Sequence, residues 1–95
     1  MAAKIIISTG DLKQDYEILD TIFAVDSHNG GFFNSSVDPQ KAFEGVKEKL
    51  EKVCKKLGGN AVINCQFEYR EALQEKLIGH KQVIEIFAYG TAVKY

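Results

Sequence analysis

The chain has no tryptophan, a single proline and only two cysteines in 95 residues. Two cysteines without a secretory signal predict reduced thiols rather than a disulfide. The net charge is −1, with acidic and basic residues interspersed, so the chain lacks the basic surface that binds nucleic acid or anionic membranes. No apolar run approaches the ~20 residues of a spanning helix. We therefore expect a cytosolic protein with no nucleic-acid or membrane partner.

The usual motifs of catalysis and metal binding are also missing. The sequence contains no nucleophile elbow, no phosphate-binding loop and no dinucleotide-binding glycine motif. Nor does it contain a CxxC, HxxxH or HExxH spacing, which are common arrangements of metal ligands. We expect a binding module or a scaffold, and an enzyme ranks third because no acid/base pair or nucleophile stands out.

The length predicts one domain over residues 1–95. A chain of this size buries only a little over ~60% of the surface that it exposes when unfolded. Burial against a partner subunit would therefore add considerably to its stability.

One amphipathic helix is the clearest local feature. Asp38-Pro39 forms a helix start, because the carboxylate can cap the first turn and proline gives up an N–H that has no partner there. The segment Leu57 to Asn60, with Gly58 and Gly59 at its centre, forms a helix stop. Apolar residues between them recur every three or four positions and draw one stripe: Phe43, Val46, Leu50, Val53, Cys54 and Leu57.

The rest of the pattern predicts four strands. They cover Lys4 to Ser8, Tyr16 to Val25, Ala61 to Tyr69 and Val83 to Val93. The first is a candidate edge strand. In the second, Tyr16, Ile18, Ile22 and Ala24 are predicted on one face and Leu19, Phe23 and Val25 on the other. The resulting fold is α+β in two layers, a mainly antiparallel sheet in the order β-β-α-β-β with one long helix packed on it.

Three details of this arrangement are specific expectations. The period-two pattern after the helix places Ala61, Ile63, Cys65, Phe67 and Tyr69 on the face that meets the helix. The segment Asp26 to Gly31 has the composition of an exposed loop. Residues 70–82 form either a short helical turn or an antiparallel hairpin turning near Gln74 to Lys76, and we prefer the hairpin.

The last strand is apolar on both faces. Ile84, Ile86, Ala88 and Ala92 line one side, and Val83, Phe87, Tyr89 and Val93 line the other. With only one helix to cover the sheet, the economical cover for the second face is another copy of the chain. We therefore expect a homo-oligomer with Val83, Phe87, Tyr89 and Val93 at the interface.

The candidate ligand-binding residues are few. The polar row Asn64, Gln66 and Glu68 would repeat around the axis of a ring and could bind a small molecule or a cation, although a solvated strand face is the better explanation. Asp26 and His28 lie two residues apart and could begin a metal site that another subunit completes. The simpler explanation is an ordinary polar loop. Both Cys54 and Cys65 fall on apolar faces and are expected in the core.

Several segments resemble a known family. They are Lys56-Leu57-Gly58-Gly59-Asn60-Ala61-Val62-Ile63 with the strand that follows, Ala88-Tyr89-Gly90-Thr91-Ala92-Val93, and the opening Ile5-Ile6-Ile7-Ser8-Thr9. These segments are similar to the YbjQ-type proteins, a bacterial family also labelled "putative heavy-metal-binding domain". The resemblance implies a small α+β subunit that assembles into a ring-like pentamer. Residues 26–36 depart from the family pattern, so no ligand-binding residue is carried over.

Two functions follow as expectations. The first is a homo-oligomeric, pentameric module that binds a small ligand or a divalent metal ion between its subunits. The alternative is a structural or protein-interaction scaffold without a small ligand, whose binding surface surrounds Phe32 and Phe33.

Overall fold

The computed structural model describes residues 4–29, 39–75 and 80–95, and at 28, 29, 39, 71–75 and 80–84 it describes the backbone only. Its elements are β1 (Ile6–Ile7), β2 (Glu17–Asn29), α1 (Pro39–Lys56), β3 (Ala61–Glu75) and β4 (His80–Lys94). The strands form one sheet in the order β1-β3-β4-β2, and α1 packs on one of its faces. The predicted α+β class is confirmed. The sheet is mixed rather than purely antiparallel, because β1 pairs with β3 in parallel.

The hairpin preferred for residues 70–82 is present. β3 and β4 pair in an antiparallel ladder that runs from Ala61 opposite Val93 to Glu75 opposite His80. Because pairing continues through Glu75, the connection begins later than the predicted turn. Residues 76–79 lie outside the described part of the chain.

The prediction of a loop beginning at Asp26 is wrong. β2 continues to Asn29, with Asp26 opposite Ile86 and Asn29 opposite Val83. The polar composition of this stretch favours a loop, but β4 offers a backbone partner at every position. Tertiary pairing therefore overrides the local preference. Gly30 and Gly31 lie outside the described residues, as do Phe32 and Phe33.

The helix begins at Pro39 and ends in a Schellman motif. Gly58 has φ of 84°, which an L side chain adopts only at a cost. Its N–H donates to the Lys55 carbonyl (3.0 Å), and the Gly59 N–H donates to the Cys54 carbonyl (2.9 Å). These two bonds satisfy helix-end carbonyls and turn the chain directly into β3.

The apolar stripe of α1 forms the core with the sheet. Val46, Leu50 and Cys54 are fully buried, whereas Leu57 is 40% exposed and lies outside the core. Each buried aliphatic side chain of this size is worth about 1.5–3 kcal/mol. The sheet residues that meet this stripe are Ile22, Ala24, Val62, Cys65, Ile86, Ala88 and Ala92.

A bulge at Asn64 reverses the alternation of β3. Ile63 pairs with Thr91 but Gln66 pairs with Tyr89, so β3 has one extra residue, and Asn64 has φ of 51°. Val62 before the bulge and Cys65 and Phe67 after it belong to the helix side. The prediction that Ala61 and Ile63 face the helix is wrong, because the bulge leaves them in a second cluster with Val93.

A second irregularity changes the faces of β2. Ile18 pairs with Val93 and Asp20 pairs with Ala92, so Leu19 is the extra residue. Leu19 packs against the main core, whereas Ile18 is 67% exposed. The predicted grouping of Ile18 with the buried Ile22 and Ala24 is therefore wrong.

Gly90 faces the Asn64 bulge and has no room for a side chain. A Cβ there would lie 2.9 Å from Val62 Cγ1, 3.1 Å from the Ile63 carbonyl oxygen and 3.2 Å from Cys65 Cα. We expect Gly90→Ala to lower the free energy of unfolding by about 1–3 kcal/mol, because two of these neighbours are backbone atoms that cannot yield. Urea denaturation measures the loss.

The matched control is Gly10→Ala. At Gly10 the nearest atom to an added Cβ is Ser8 Oγ at 3.7 Å, an ordinary contact. Equal unfolding midpoints for the two variants would contradict the role assigned to Gly90.

Candidate functional site

The sheet face away from α1 carries an exposed apolar patch. It consists of Phe23 and Val25 of β2 and Phe87 and Tyr89 of β4, and it is called the aromatic patch below. Phe23 lies opposite Tyr89 and Val25 lies opposite Phe87 in the ladder. The exposed fractions are 70% for Phe23, 43% for Val25 and 42% for Tyr89, and Phe87 is half-buried. A soluble monomer rarely exposes neighbouring aromatic side chains in this way.

The patch exists because β2 and β4 carry apolar residues on both faces of the sheet, while the described residues form only one helix. Ile22, Ala24, Ile86 and Ala88 alternate with the patch residues and are buried under α1. Side chains at successive positions point to opposite faces of the sheet. The same strands that build the core therefore present a second apolar surface.

Polar residues of β3 border the aromatic patch. Gln66 pairs with Tyr89 and Glu68 pairs with Phe87, so both lie beside patch residues. Farther along, Arg70 Nη2 lies 3.4 Å from Glu85 Oε2. Asn64 does not continue this row, because it occupies the bulge, where its N–H donates to the Gly10 carbonyl (2.9 Å). Of the predicted row Asn64, Gln66 and Glu68, only Gln66 and Glu68 therefore lie together beside the patch.

The predicted interface residues divide into three cases. Phe87 and Tyr89 belong to the aromatic patch. Val93 is fully buried within the single chain, so it is not part of an exposed surface. The side chain of Val83 lies outside the described residues. Sequence reasoning assigned Phe23 and Val25 to the second face but did not name them as interface residues, because the β2–β4 register that places them beside Tyr89 and Phe87 was unknown.

A connecting segment covers Val93. Leu12 and Tyr16, between β1 and β2, pack on the cluster of Ala61, Ile63 and Val93. The Tyr16 hydroxyl donates to Asp11 Oδ1 (2.8 Å), and this hydrogen bond is the main reason that the pKa of Tyr16 is raised. One end of the second sheet face is therefore covered by the chain itself, and the aromatic patch is the end that stays open.

The proposed metal pair does not come together as a free site. Asp26 lies on the helix side, where its Oδ1 is 3.0 Å from Lys49 Nζ. The same ammonium group donates to the Val25 carbonyl at 2.6 Å. Asp26 is thus already paired with a cation. The side chain of His28 lies outside the described residues.

Both thiols are in the core, as expected. Cys54 and Cys65 are free and fully buried, and Cys54 Sγ donates to the Ala61 carbonyl (3.4 Å). Burial raises the pKa of both thiols. Since the thiolate is the form that binds metal, this environment disfavours coordination by either cysteine. Among the described residues, no group of three or more His, Cys, Asp or Glu side chains could hold a metal ion.

A cleft of about 490 Å³ opens on the helix side, near the start of α1. Phe43 of α1 and Phe67 of β3 meet at its wall, with ring centroids 4.6 Å apart. α1 packs more on β2 and β4 than on β3, which leaves this part of β3 less covered. The lining residues are Gln40, Phe43, Phe67, Glu68, Tyr69 and Ile86.

Comparison with known proteins agrees with this architecture. The model of the YbjQ_1 family, described as "Putative heavy-metal-binding", matches residues 30–95. A solved protein of unknown function from Pediococcus pentosaceus ATCC 25745, a member of the DUF74 family, is similar in fold. Its TM-score is 0.72 at 23% sequence identity, over 95% of this chain and 96% of that one. No curated protein matches the chain. In the described residues, no helix is long and apolar enough to span a membrane.

The thiol environment can be tested directly. We expect Cys54 and Cys65 to react with Ellman's reagent far more slowly in the native protein than in urea, because both are buried with raised pKa values. The measurement is the absorbance time course at pH 8, with the unfolded protein as the two-thiol reference. Fast modification of one thiol under native conditions would contradict the assigned burial.

Proposed function

Because this chain belongs to the YbjQ_1 family, described as "Putative heavy-metal-binding", we propose that it is a homo-oligomeric module that holds a metal ion or small ligand where its subunits meet. The observation that carries the proposal is the aromatic patch. Its large, solvent-exposed apolar side chains lie together on the only sheet face that the helix does not cover. Covering this face removes apolar surface from water, which favours association.

A second copy of the chain is the partner that fits the patch. The charges nearest to it are Glu68, which lies beside Phe87 and has no ion pair among the described residues, and Arg70, which is paired with Glu85. Two carboxylates and one guanidinium leave one negative charge on each copy, and salt screens the repulsion between such exposed charges. The family resemblance implies five subunits in a ring.

The position of Glu68 supports a ligand site between subunits. Within the described part of one chain no three-ligand group exists. Glu68 and Gln66 border the patch, so assembly through the patch places this carboxylate and this amide at the contact between subunits, where a neighbouring subunit can add further ligands. Carboxylate and amide oxygens suit hard divalent cations. The metal or ligand is therefore proposed to bind only in the assembled protein.

The alternative is a scaffold whose patch receives another protein and which holds no small ligand. The scaffold would use the same exposed patch residues as the binding module. The two proposals differ in whether the purified protein holds a small ligand in a fixed ratio to its subunits. The surface predicted around Phe32 and Phe33 lies outside the described residues and adds nothing to the choice.

We expect Phe23→Lys to dissociate the assembly. Phe23 is 70% exposed in the single chain, so a lysine there leaves the subunit fold intact but places an unpaired charge in the proposed interface, at a cost of several kcal/mol. Native mass spectrometry reads the subunit number. The control is Leu57→Lys, which adds the same charge at an exposed apolar residue outside the patch. An unchanged mass for Phe23→Lys, or an equal loss for both, would refute assembly through the patch.

We expect Glu68→Ala to lower the retention of divalent metal without dissolving the assembly. The purified protein is dialysed against Zn²⁺ or Mn²⁺, and the metal per subunit is measured alongside the native mass. Glu48→Ala removes an exposed carboxylate from the solvent face of α1 and serves as the control. An intact assembly that retains no metal in the parent protein would support the scaffold instead.

A further inference from the structure

One edge of the sheet is left open by the short β1. β1 pairs with β3 only at Ala61 and Val62. Two more bonds follow, from the Asn64 N–H to Gly10 and from the Cys65 N–H to the Ser8 carbonyl, both 2.9 Å. β3 then continues to Glu75. Beyond Cys65, no backbone hydrogen bond from the described residues reaches its outer side. Residues 67–75 of β3 are called the open edge below.

The backbone groups of the open edge can be assigned by parity. Lys49 reaches the Val25 carbonyl from outside the sheet, so the backbone N–H and C=O groups of odd-numbered β2 residues point away from β4. Those of even-numbered β2 residues point towards β4. In β4, the backbone groups of even-numbered residues therefore point towards β2, and those of odd-numbered residues point towards β3. Even residues of β3 after the bulge bond to β4 and odd ones point outward, in agreement with the outward Cys65 N–H. The outward residues are Phe67, Tyr69, Glu71, Leu73 and Glu75.

The opposite edge of the sheet differs in this respect. On β2, Asp20 Oδ1 accepts the Thr21 N–H (2.8 Å) and Lys49 binds the Val25 carbonyl (2.6 Å). Side chains of the same subunit thus occupy part of that edge, as natural proteins often arrange. The open edge has no such cover among the described residues. Beside it, Tyr69 is 62% exposed and lines the cleft.

Another extended backbone is the partner that pairs with the alternating donors and acceptors along the whole length of an edge. We propose that this backbone is the open edge of a second copy, paired antiparallel about a two-fold axis with Ala72 opposite the partner's Ala72. The two sheets then join into one. The aromatic patch takes no part, so the pairing is separate from the contact in the proposed function and shares with it only that the partner is another copy.

The register of the proposed pair is chosen by two conditions: no like charges may lie opposite each other, and the partner may not run where β3 is already bonded. A two-fold pairing centred on Arg70 sets arginine against arginine, and one centred on Glu71 sets glutamate against glutamate. Centring on Leu73 places Glu71 opposite the partner's Glu75 twice. Like charges directly opposite each other are destabilising.

Centring on Glu68 or Glu75 again sets glutamate against glutamate, and centring on Gln74 carries the pairing into residues 76–79, outside the described part of the chain. Centring on Phe67 or Tyr69 requires the partner to continue alongside Cys65, where Ser8 already binds. Centring on Ala72 avoids both problems, because it sets Arg70 opposite the partner's Gln74 and Glu71 opposite the partner's Leu73. In this register no like charges lie opposite each other, and the contact of Ser8 with Cys65 is left intact.

The test is disulfide cross-linking of Ala72→Cys with Gln74→Cys as the control. Ala72 is in a non-hydrogen-bonded position of the proposed pair, where opposing Cα atoms lie about 4.5 Å apart, within the range of a disulfide. Gln74 lies opposite the partner's Arg70, so the Cα atoms of the two Gln74 residues are four positions apart along the strand, or roughly 13 Å. After mild oxidation, a non-reducing gel should show a dimer for Ala72→Cys and at least tenfold less for Gln74→Cys. The native thiols are buried.

Two outcomes of the cross-linking would overturn the pairing. They are the absence of a dimer from Ala72→Cys and an equal amount of dimer from both variants. Repeating the cross-link in the Phe23→Lys background separates the two contacts, because the edge dimer should persist there. A cross-link that disappears with the patch would show that the edge does not pair independently, which also overturns the proposal. A patch variant of unchanged mass with a surviving cross-link would refute only the proposed function.

Discussion

The bulge at Asn64 is the constraint on which the rest of the structure depends. It places Val62 and Cys65 on the same side of the sheet although they are three residues apart. Without the extra residue, the first half of β3 would face the helix with the wrong side chains. Gly90 makes the bulge possible, because the bulged backbone occupies the space of its missing Cβ. The bulge also sets Gln66 and Glu68 on the side of the aromatic patch.

The position of α1 explains the remaining exposed surfaces. α1 packs mainly on β2 and β4, the strands that supply most of the core opposite its apolar stripe. The described residues leave two parts of the sheet uncovered. One is the far face, where the aromatic patch lies, and the other is the open edge of β3. Both follow because the described residues form four strands but only one helix. The two candidate contacts therefore use different parts of the same sheet.

The parts of the fold that the sequence predicted are those encoded locally. The helix start at Pro39, its stop at Gly58 and the hairpin after Arg70 depend on neighbouring residues, and all three are present. The predicted assignment of residues to the faces of β2 and β3 was wrong beside the bulges, because strict alternation assumes that no extra residue is inserted in the strand. For the candidate site, the two-faced pattern of β4 indicated Phe87 and Tyr89. Val93 is covered by Leu12 and Tyr16 because of the path of the connection between β1 and β2. The spacing of apolar residues in the sequence does not predict that path.

The chemistry available for a metal also depends on burial. Soft heavy metals prefer thiolates, and the chain has two cysteines, yet burial raises the pKa of both and Ala61 already accepts a hydrogen bond from one. Binding there would require opening the main core. Oxygen ligands at the surface carry no such cost, but Asp26 is paired with Lys49 and Glu68 is a single carboxylate. Because no three-ligand group exists among the described residues, a metal site that uses Glu68 would need ligands from more than one subunit, and metal binding and assembly would then be one linked equilibrium.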